Sequence, residues 1–143
     1  MGKPAIPLPC LSASFRRATR VLTQHYEKAL RPLGLRGTQF TLLQALSLTG
    51  EVSQRMLGEI LAIDSTTLTR TIAIMERQGW IGSRPGEDRR ERLLSLSKAG
   101  RAEYKRALPY WEKVQQELRA RFGNKRWNEL LNITNQVTAE VAI

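Results

Sequence analysis

The sequence predicts a mainly α-helical domain with one small β-hairpin, which places it in the α+β class. Apolar residues recur at the three- and four-residue spacing of helices in six segments, and glycine or proline follows four of them. One further segment alternates apolar and polar residues after the turn-forming sequence Pro-Gly-Glu-Asp at residues 85–88. With 143 residues, of which 41% are hydrophobic, the chain is long enough for one domain, residues 1–143, with its own core.

The first two helices are predicted from apolar stripes that stop at helix-breaking residues. Residues 11–31 form the first helix, which Pro32 and Gly34 end. Residues 38–49 form the second helix, which stops at Gly50. The stripes consist of Phe15, Ala18, Leu22, Tyr26 and Ala29 in the first helix and of Phe40, Leu43 and Leu46 in the second.

Two shorter helices with a tight connection between them follow. Ser53 can cap a helix over residues 54–61, and Asp64 or Ser65 can cap a helix that ends at Gly79. The expected buried faces are Leu57, Ile60 and Leu61 in the third helix and Leu68, Ile72 and Met75 in the fourth. The opposite face of the fourth helix carries small or basic residues, namely Thr66, Thr69, Arg70, Ala73 and Arg77.

A β-hairpin is predicted directly after the fourth helix, with strands over residues 80–84 and 92–96. Its tip and its two strands are rich in arginine. The arginines are Arg84, Arg89, Arg90 and Arg92. Asp88 is close enough in sequence to pair with one of them and to orient its side chain.

The last part of the chain is predicted to form two long helices. Ser97 can cap the first, which runs to Phe122 with a kink at Pro109, and Asn124 is expected to cap the second, which reaches about residue 141. Both carry more apolar surface than a small domain can cover, and surface of that kind usually binds a partner. We therefore expect a homodimer that forms through these helices.

The charge balance points to a polyanionic partner. The chain has 23 lysines and arginines against 13 acidic residues, which gives a net charge of +10. Such a charge favours nucleic acid first and an anionic membrane surface second, and a merely soluble basic protein is the alternative. No apolar stretch is long enough to span a membrane, and the first residues lack the features of a signal peptide, so we expect a cytoplasmic protein.

Several chemical functions are disfavoured by the composition. A single cysteine cannot form an intrachain disulfide, and one cysteine with one histidine makes a poor metal site. The sequence has no catalytic triad, no metal-spaced cluster and no glycine-rich phosphate loop. We therefore expect neither an enzyme nor a bound cofactor.

The fourth helix and the hairpin together have the chemistry of a protein that binds double-stranded DNA. Small hydroxyl side chains let a helix approach the major groove, where an arginine can donate two hydrogen bonds to guanine. Arginines on a narrow hairpin tip suit the minor groove. Phosphate contacts are expected from Thr38, Gln39, Ser53, Gln54, Arg55, Arg84 and Arg89. A solvated helix face, a solvated turn and a non-specific nucleoid protein are the alternatives.

Three segments resemble the multiple antibiotic resistance regulator (MarR) family of winged-helix repressors, and the resemblance covers residues 11–141. The segments are LGLRGTQF at residues 33–40, LGEILAIDSTTLTR at 57–70 with MERQGWI at 75–81, and DRR at 88–90 with LSLS at 94–97. The third is similar to the family's D-x-R-x-x-x-L-x-L-T wing motif, in which Ser97 replaces the threonine.

The resemblance implies a winged helix-turn-helix lobe, residues 36–97, on a dimerisation base formed by residues 10–32 and 98–143. It implies that the fourth helix contacts bases in a major groove and that the wing arginine, Arg90, enters the adjacent minor groove with Asp88 orienting it. The base-contacting positions fall on Ser65, Thr66, Thr67, Thr69 and Arg70, with Arg77 on the same helix. A two-fold dimer is then expected to repress at a pseudo-palindromic operator with half-sites about 10 bp apart.

The resemblance also implies release from DNA by a small phenolic or aromatic acid that binds between the base and the lobe. The candidate residues there are His25, Tyr26, Phe40, Tyr110 and Trp111, although aromatic residues at helical spacing usually pack as core. The alternative is a thiol-based sensor of oxidative stress that uses Cys10. In the peroxide-sensing branch of the family, the reactive cysteine aligns instead with Ser12, and Gly37 replaces one of two supporting tyrosines.

Overall fold

The computed structural model describes residues 6–143 and contains the predicted elements in the predicted order. Within that range there are six α-helices, one 3-10 helix and three β-strands. They are α1 (Leu11–Leu30), the 3-10 helix (Arg31–Leu33), α2 (Gly37–Thr49), β1 (Val52–Ser53), α3 (Gln54–Leu61), α4 (Ser65–Arg77), β2 (Ile81–Pro85), β3 (Arg92–Leu96), α5 (Lys98–Phe122) and α6 (Asn124–Val141). The mainly α-helical winged helix-turn-helix fold is confirmed.

Three predicted helix caps are present as hydrogen bonds. The Ser53 hydroxyl accepts from the Met56 amide at 3.1 Å, and the Ser97 hydroxyl accepts from the Gly100 amide at 3.0 Å. A carboxylate oxygen of Asp64 accepts from the Thr67 amide at 2.9 Å. These contacts satisfy backbone donors that have no partner inside their own helix, so they fix where α3, α4 and α5 begin.

Two predicted helix boundaries were wrong in detail. The first α-helix ends at Leu30 because the chain tightens into a 3-10 turn there and then reverses at Gly34, whose φ is +68°. Asn124 is the first residue of α6 rather than its cap, since Gly123 occupies the cap position and supplies no side chain. Pro109 lies inside α5 and does not end that helix.

The sheet has one strand that the sequence pattern did not predict. Strand β3 lies in the centre, with β2 on one side and β1 on the other, and both pairs are antiparallel. Val52 pairs with Leu94, and Ser53 pairs with Leu93. Two residues are too few to show an alternating pattern, so β1 becomes visible only through its partner.

The main core lies mostly within residues 36–97 and is built from helix faces that meet the hairpin. Leu68, Ile72 and Met75 of α4 are all buried, as predicted, and they belong to one cluster with Leu57 of α3 and Leu94 of β3. A second cluster joins α1, α5 and α6. It contains Val114, Leu118 and Trp127, with Tyr26, Ala29 and Phe122 packed against them.

One residue of the predicted buried faces of α3 and α4 is exposed. Ile60 is 46% exposed, whereas Leu57 on the same helix is fully buried. Helix α3 has only eight residues. Two turns of helix present a narrow buried stripe, and Ile60 lies at its edge. The expectation that Ile60 faces inward was therefore wrong.

The wing is tied to the start of α5 by contacts around two small residues. The Ser97 hydroxyl donates to the Gly79 carbonyl oxygen at 2.5 Å, and the Ser97 amide donates to the Trp80 carbonyl oxygen at 3.0 Å. Gly100 is buried directly against that same carbonyl, and a Cβ at this position would overlap the Trp80 oxygen. The absence of a side chain at Gly100 therefore lets the base helix α5 approach the wing.

We expect Gly100→Ala to lower the free energy of unfolding by about 2–3 kcal/mol, because the new methyl group must displace backbone. Urea unfolding at a fixed protein concentration measures this change. The matched control is Gly82→Ala, since a Cβ there meets no atom within 4 Å. Equal stability of the two variants would contradict the close approach between α5 and the wing.

Candidate nucleic-acid interface

Helix α4 has one buried face and one exposed face, as the sequence predicted. Leu68, Ile72 and Met75 are buried against the core. The residues on the opposite side are all exposed, and they are Ser65, Thr66, Thr69, Arg70, Ala73 and Arg77. Burial of the apolar face therefore determines which polar side chains α4 offers to a partner.

The first turn of α4 is held by a carboxylate with two bonds to one residue. Asp64 accepts from the Thr67 hydroxyl at 2.7 Å and from the Thr67 amide at 2.9 Å. These hydrogen bonds lower the pKa of the Asp64 carboxyl. Thr67, which was a predicted base-contacting residue, has its hydroxyl proton engaged here, so Ser65 and Thr66 are the hydroxyl residues of this turn that remain available.

Helices α3 and α4 are joined across the turn by a side-chain hydrogen bond. The Gln54 amide donates to the Thr69 hydroxyl oxygen at 3.0 Å. Ser53 caps α3, and Arg55 pairs with Glu59 at 3.0 Å. Three of the predicted phosphate-contacting residues at the start of α3 therefore already have partners within the chain, and Gln54 positions Thr69 on the exposed face of α4.

Two wing arginines hold the hairpin against the rest of the lobe. Arg84 donates two hydrogen bonds to Glu51, at 2.8 and 2.6 Å, and lowers the pKa of that carboxyl. Arg92 donates to Glu76 of α4 at 2.6 Å and to the Ser83 hydroxyl at 3.0 Å. We expected Arg84 to contact phosphate. The structure instead places it in a bidentate ion pair.

The wing tip is organised by Asp88, which acts on the backbone. Its carboxylate accepts from the Arg90 amide at 3.0 Å, and its carbonyl oxygen accepts from the Glu91 amide at 2.8 Å. We expected Asp88 to pair with the Arg90 guanidinium, but the carboxylate is used to shape the turn. Arg89 and Arg90 are exposed at this tip.

The N-terminus of α2 is occupied by a carboxylate of the same chain. Glu27 of α1 accepts from the Gly37 amide at 2.9 Å and pairs with Arg36 at 3.3 Å. The Gln39 side chain accepts from the Arg36 amide at 2.9 Å. Thr38 is exposed, but a phosphate beside it would lie close to the negative charge of Glu27. This arrangement disfavours the prediction that Thr38 and Gln39 contact phosphate.

The arginines of the lobe divide into paired and unpaired groups. Residues 36–97 hold eight arginines and seven acidic residues, so the lobe itself is nearly neutral and most of the +10 net charge lies outside it. Arg36, Arg55, Arg84 and Arg92 form ion pairs. No ion pair is recorded among residues 6–143 for the other four, which are Arg70, Arg77, Arg89 and Arg90. All four lie on the exposed face of α4 or at the wing tip, which we call the α4–wing surface.

A groove separates the two parts of this surface. It has a volume of about 940 Å³ and lies between α3, the first turn of α4 and the wing. Ser65 of α4 and Arg90 of the wing both line it. The exposed face of α4 and the wing tip therefore border a single concave surface.

Comparison with known proteins assigns the family. A sequence model described as the MarR family matches residues 33–91. The chain is also 32% identical over 109 residues to YwoH of Bacillus subtilis (strain 168), which is described as an uncharacterized HTH-type transcriptional regulator. That match covers 76% of this chain and 80% of YwoH. The chain belongs to the MarR family of transcriptional regulators.

Solved structures of MarR-family regulators have the same fold. The transcriptional regulator MosR of M. tuberculosis, solved in complex with DNA, is 35% identical and superposes with a TM-score of 0.78, covering 91% of this chain and 97% of that chain. A cysteine-to-serine mutant of MarR from E. coli, solved with operator DNA, is 21% identical and has a TM-score of 0.79, covering 89% of this chain and 92% of that chain.

The region between base and lobe, which the MarR resemblance indicated for a ligand, contains a cavity. It has a volume of about 300 Å³ and is lined by residues of α1, α2 and α5. Tyr26, Phe40 and Trp111 line it, whereas His25 and Tyr110 do not. Phe40 stacks on Trp111 with ring centroids 5.6 Å apart. The Tyr26 hydroxyl donates to Gln115, and burial raises the pKa of Tyr26.

Cys10 lies at the start of the base, where it caps α1. It is exposed, and its sulfur accepts a hydrogen bond from the Ala13 amide at 3.5 Å. It is the one cysteine of the chain, so no second thiol of the same chain could form a disulfide with it. A capping contact accounts for this residue without a sensing role, and the thiol alternative is not favoured.

Two kinds of feature are absent from residues 6–143. No group of three or more histidine, cysteine or acidic side chains is arranged to hold a metal ion. None of the helices is long and apolar enough to cross a membrane.

We expect Asp64→Ala to lower the urea midpoint at neutral pH, because it removes both bonds to Thr67. A lowered pKa in the folded state means that the carboxylate stabilises the fold fully above the ordinary carboxyl pKa. That stabilisation is lost as the pH falls through the lowered value. The difference between wild type and variant should therefore shrink in acid. Asp64→Asn keeps a hydrogen-bond acceptor without the charge, so its urea midpoint should lie between those of wild type and Asp64→Ala. A difference that does not change with pH would contradict the role of the carboxylate.

Proposed function

We propose that this protein is a sequence-specific DNA-binding transcriptional regulator that contacts DNA through the α4–wing surface as a homodimer. The observation that carries the proposal is the location of the four arginines without an ion pair. Guanidinium groups that have no carboxylate partner are available to phosphate and guanine, and in this lobe they are confined to α4 and the wing.

Sequence specificity is assigned to the exposed side of α4. Ser65, Thr66 and Thr69 are small enough to let the helix backbone approach base edges, and Arg70 can donate two hydrogen bonds to a guanine. Thr69 is oriented by Gln54, which limits its rotamers before DNA binds. The wing tip carries Arg89 and Arg90 into the adjacent minor groove, where a narrow groove attracts arginine.

The homodimer is supported by apolar side chains that the single chain leaves exposed. They lie on α1 and α6, the helices of the proposed base, and include Leu11, Val21, Leu22, Leu130, Leu131, Ile133 and Val141. Among the residues of α6, only Trp127 is buried within one chain. A second copy related by a two-fold axis would cover this surface and set two copies of α4 about one helical turn of DNA apart.

The regulatory output follows from the same arrangement. A dimer bound to a pseudo-palindromic operator blocks access to the DNA beneath it, which makes repression the proposed output. The cavity between α1, α2 and α5 touches both base and lobe, so a small aromatic or phenolic ligand bound there can change the angle between them and release the DNA.

The dimer is tested by Leu131→Glu, which places a charge on the exposed side of α6. We expect light scattering to show a mass of twice the 16.2 kDa chain for wild type and a single chain for the variant. Leu48→Glu is the control, since Leu48 is 82% exposed on α2, outside the base. If the Leu131→Glu protein were still a dimer, α6 would not be part of the interface.

The DNA contacts are tested by two arginine substitutions after selection of the operator from random oligonucleotides. Arg70→Ala should cost ~1–3 kcal/mol on the selected operator and should relax its sequence preference. Arg90→Ala should weaken binding to all sequences. Arg121→Ala is the control, because Arg121 lies on α5 far along the chain from the lobe, and it should leave the affinity for DNA nearly unchanged. Equal affinity of the wild type for selected and random DNA would support a non-specific nucleoid protein instead.

A further inference from the structure

The cavity between α1, α2 and α5 is lined by aromatic residues and one acidic residue, which is unusual for a site that is expected to bind an aromatic acid. Tyr26, Phe40 and Trp111 supply aromatic surface. Glu27 is the one charged side chain among the described residues that line the cavity. Its side chain is three-quarters buried. The cavity therefore offers π surface and a negative charge, with no cationic side chain in its lining.

Three hydrogen-bond donors around this cavity are used within the chain. The Gly37 amide donates to Glu27, and the Thr41 hydroxyl donates to the Gly37 carbonyl oxygen at 3.0 Å. The Tyr26 hydroxyl donates to Gln115. An anionic ligand would meet a carboxylate of the same sign and no cationic side chain in the lining, so its charge would have no ionic partner there.

A cationic ligand meets the opposite conditions. Aromatic faces attract cations, and the attraction is strongest where water is excluded. Glu27 is held on its other side by Arg36, whose side chain is 75% exposed and 3.3 Å away. Because water surrounds the Arg36 side of that pair and screens it, a cation inside the cavity can compete for the carboxylate.

We propose that this cavity binds a planar aromatic cation, that Glu27 is the residue that recognises its charge, and that the ligand class is therefore not an aromatic acid. The inference rests on the proposed function in taking this cavity as the effector site. The volume of about 300 Å³ suits a ligand of one or two fused rings.

Glu27 also connects the ligand to the DNA-binding lobe. Its carboxylate accepts from the first amide of α2, and a Cβ on Gly37 would come within 3.0 Å of the same oxygen. A carboxylate that turns toward a bound cation weakens this contact between α1 and α2. Binding of the ligand and the contact between α1 and α2 then both depend on the Glu27 side chain. The ligand therefore binds the two states of the protein with different affinities, which release of DNA requires.

The test uses three probes that share a ring system and differ in charge, naphthalene-2-carboxamidine, naphthalene-2-carboxamide and naphthalene-2-carboxylate. Calorimetry with DNA-free protein should show the amidine binding about tenfold more tightly than the carboxylate. Glu27→Gln should bring the amidine to the level of the amide and leave the amide within about twofold of wild type. Glu27→Asp, which keeps the charge, should retain the preference, and Glu117→Gln on the outside of α5 is the matched control.

Several results would overturn the proposal. These are tighter binding of the carboxylate, an unchanged ratio in Glu27→Gln protein that melts like wild type, or no binding of any probe at millimolar concentration. Because no DNA is present, failure here leaves operator binding untouched, and loss of operator specificity in the selection experiment leaves the ligand preference untouched.

Discussion

The burial of one face of α4 is the constraint on which the rest of this molecule depends. Leu68, Ile72 and Met75 pack into the lobe core, and a helix that buries three residues at this spacing cannot rotate about its axis. Ser65, Thr66, Thr69 and Arg70 are exposed for that reason alone. The hydrophobic effect therefore supplies the orientation, and the polar chemistry on the outer face needs no further device to point away from the core.

Ion pairs then decide which charges remain available. In the lobe, Arg84 pairs with Glu51 and Arg92 pairs with Glu76, and these two ion pairs hold the hairpin against the body of the lobe. Such exposed pairs contribute little to stability by themselves. Their value lies in geometry, because a wing that is fixed at its base presents Arg89 and Arg90 in a defined direction. A nearly neutral lobe can thus carry a locally basic surface on a chain of net charge +10.

Local features of this fold could be predicted from the sequence, and contacts distant in sequence could not. The caps at Ser53, Asp64 and Ser97 act within three residues, so residue type and spacing were sufficient. Arg84 and Glu51 are separated by 33 residues, and nothing in either segment indicates the pair. Strand β1 was missed for the same reason, since its two residues are defined by β3. The MarR resemblance indicated Tyr26 and Trp111 near the cavity but could not exclude His25 or Tyr110, because the packing of α1 against α5 decides that.

The central claim, that DNA lies against the α4–wing surface, is tested most directly by nuclear magnetic resonance of threonine methyl groups during titration with the selected operator. The account predicts that the largest shift changes occur at Thr66 and Thr69, while Thr134 and Thr138 on α6 stay nearly unchanged. Large changes on α6 together with silent methyl groups on α4 would place the DNA on the base and would contradict the account.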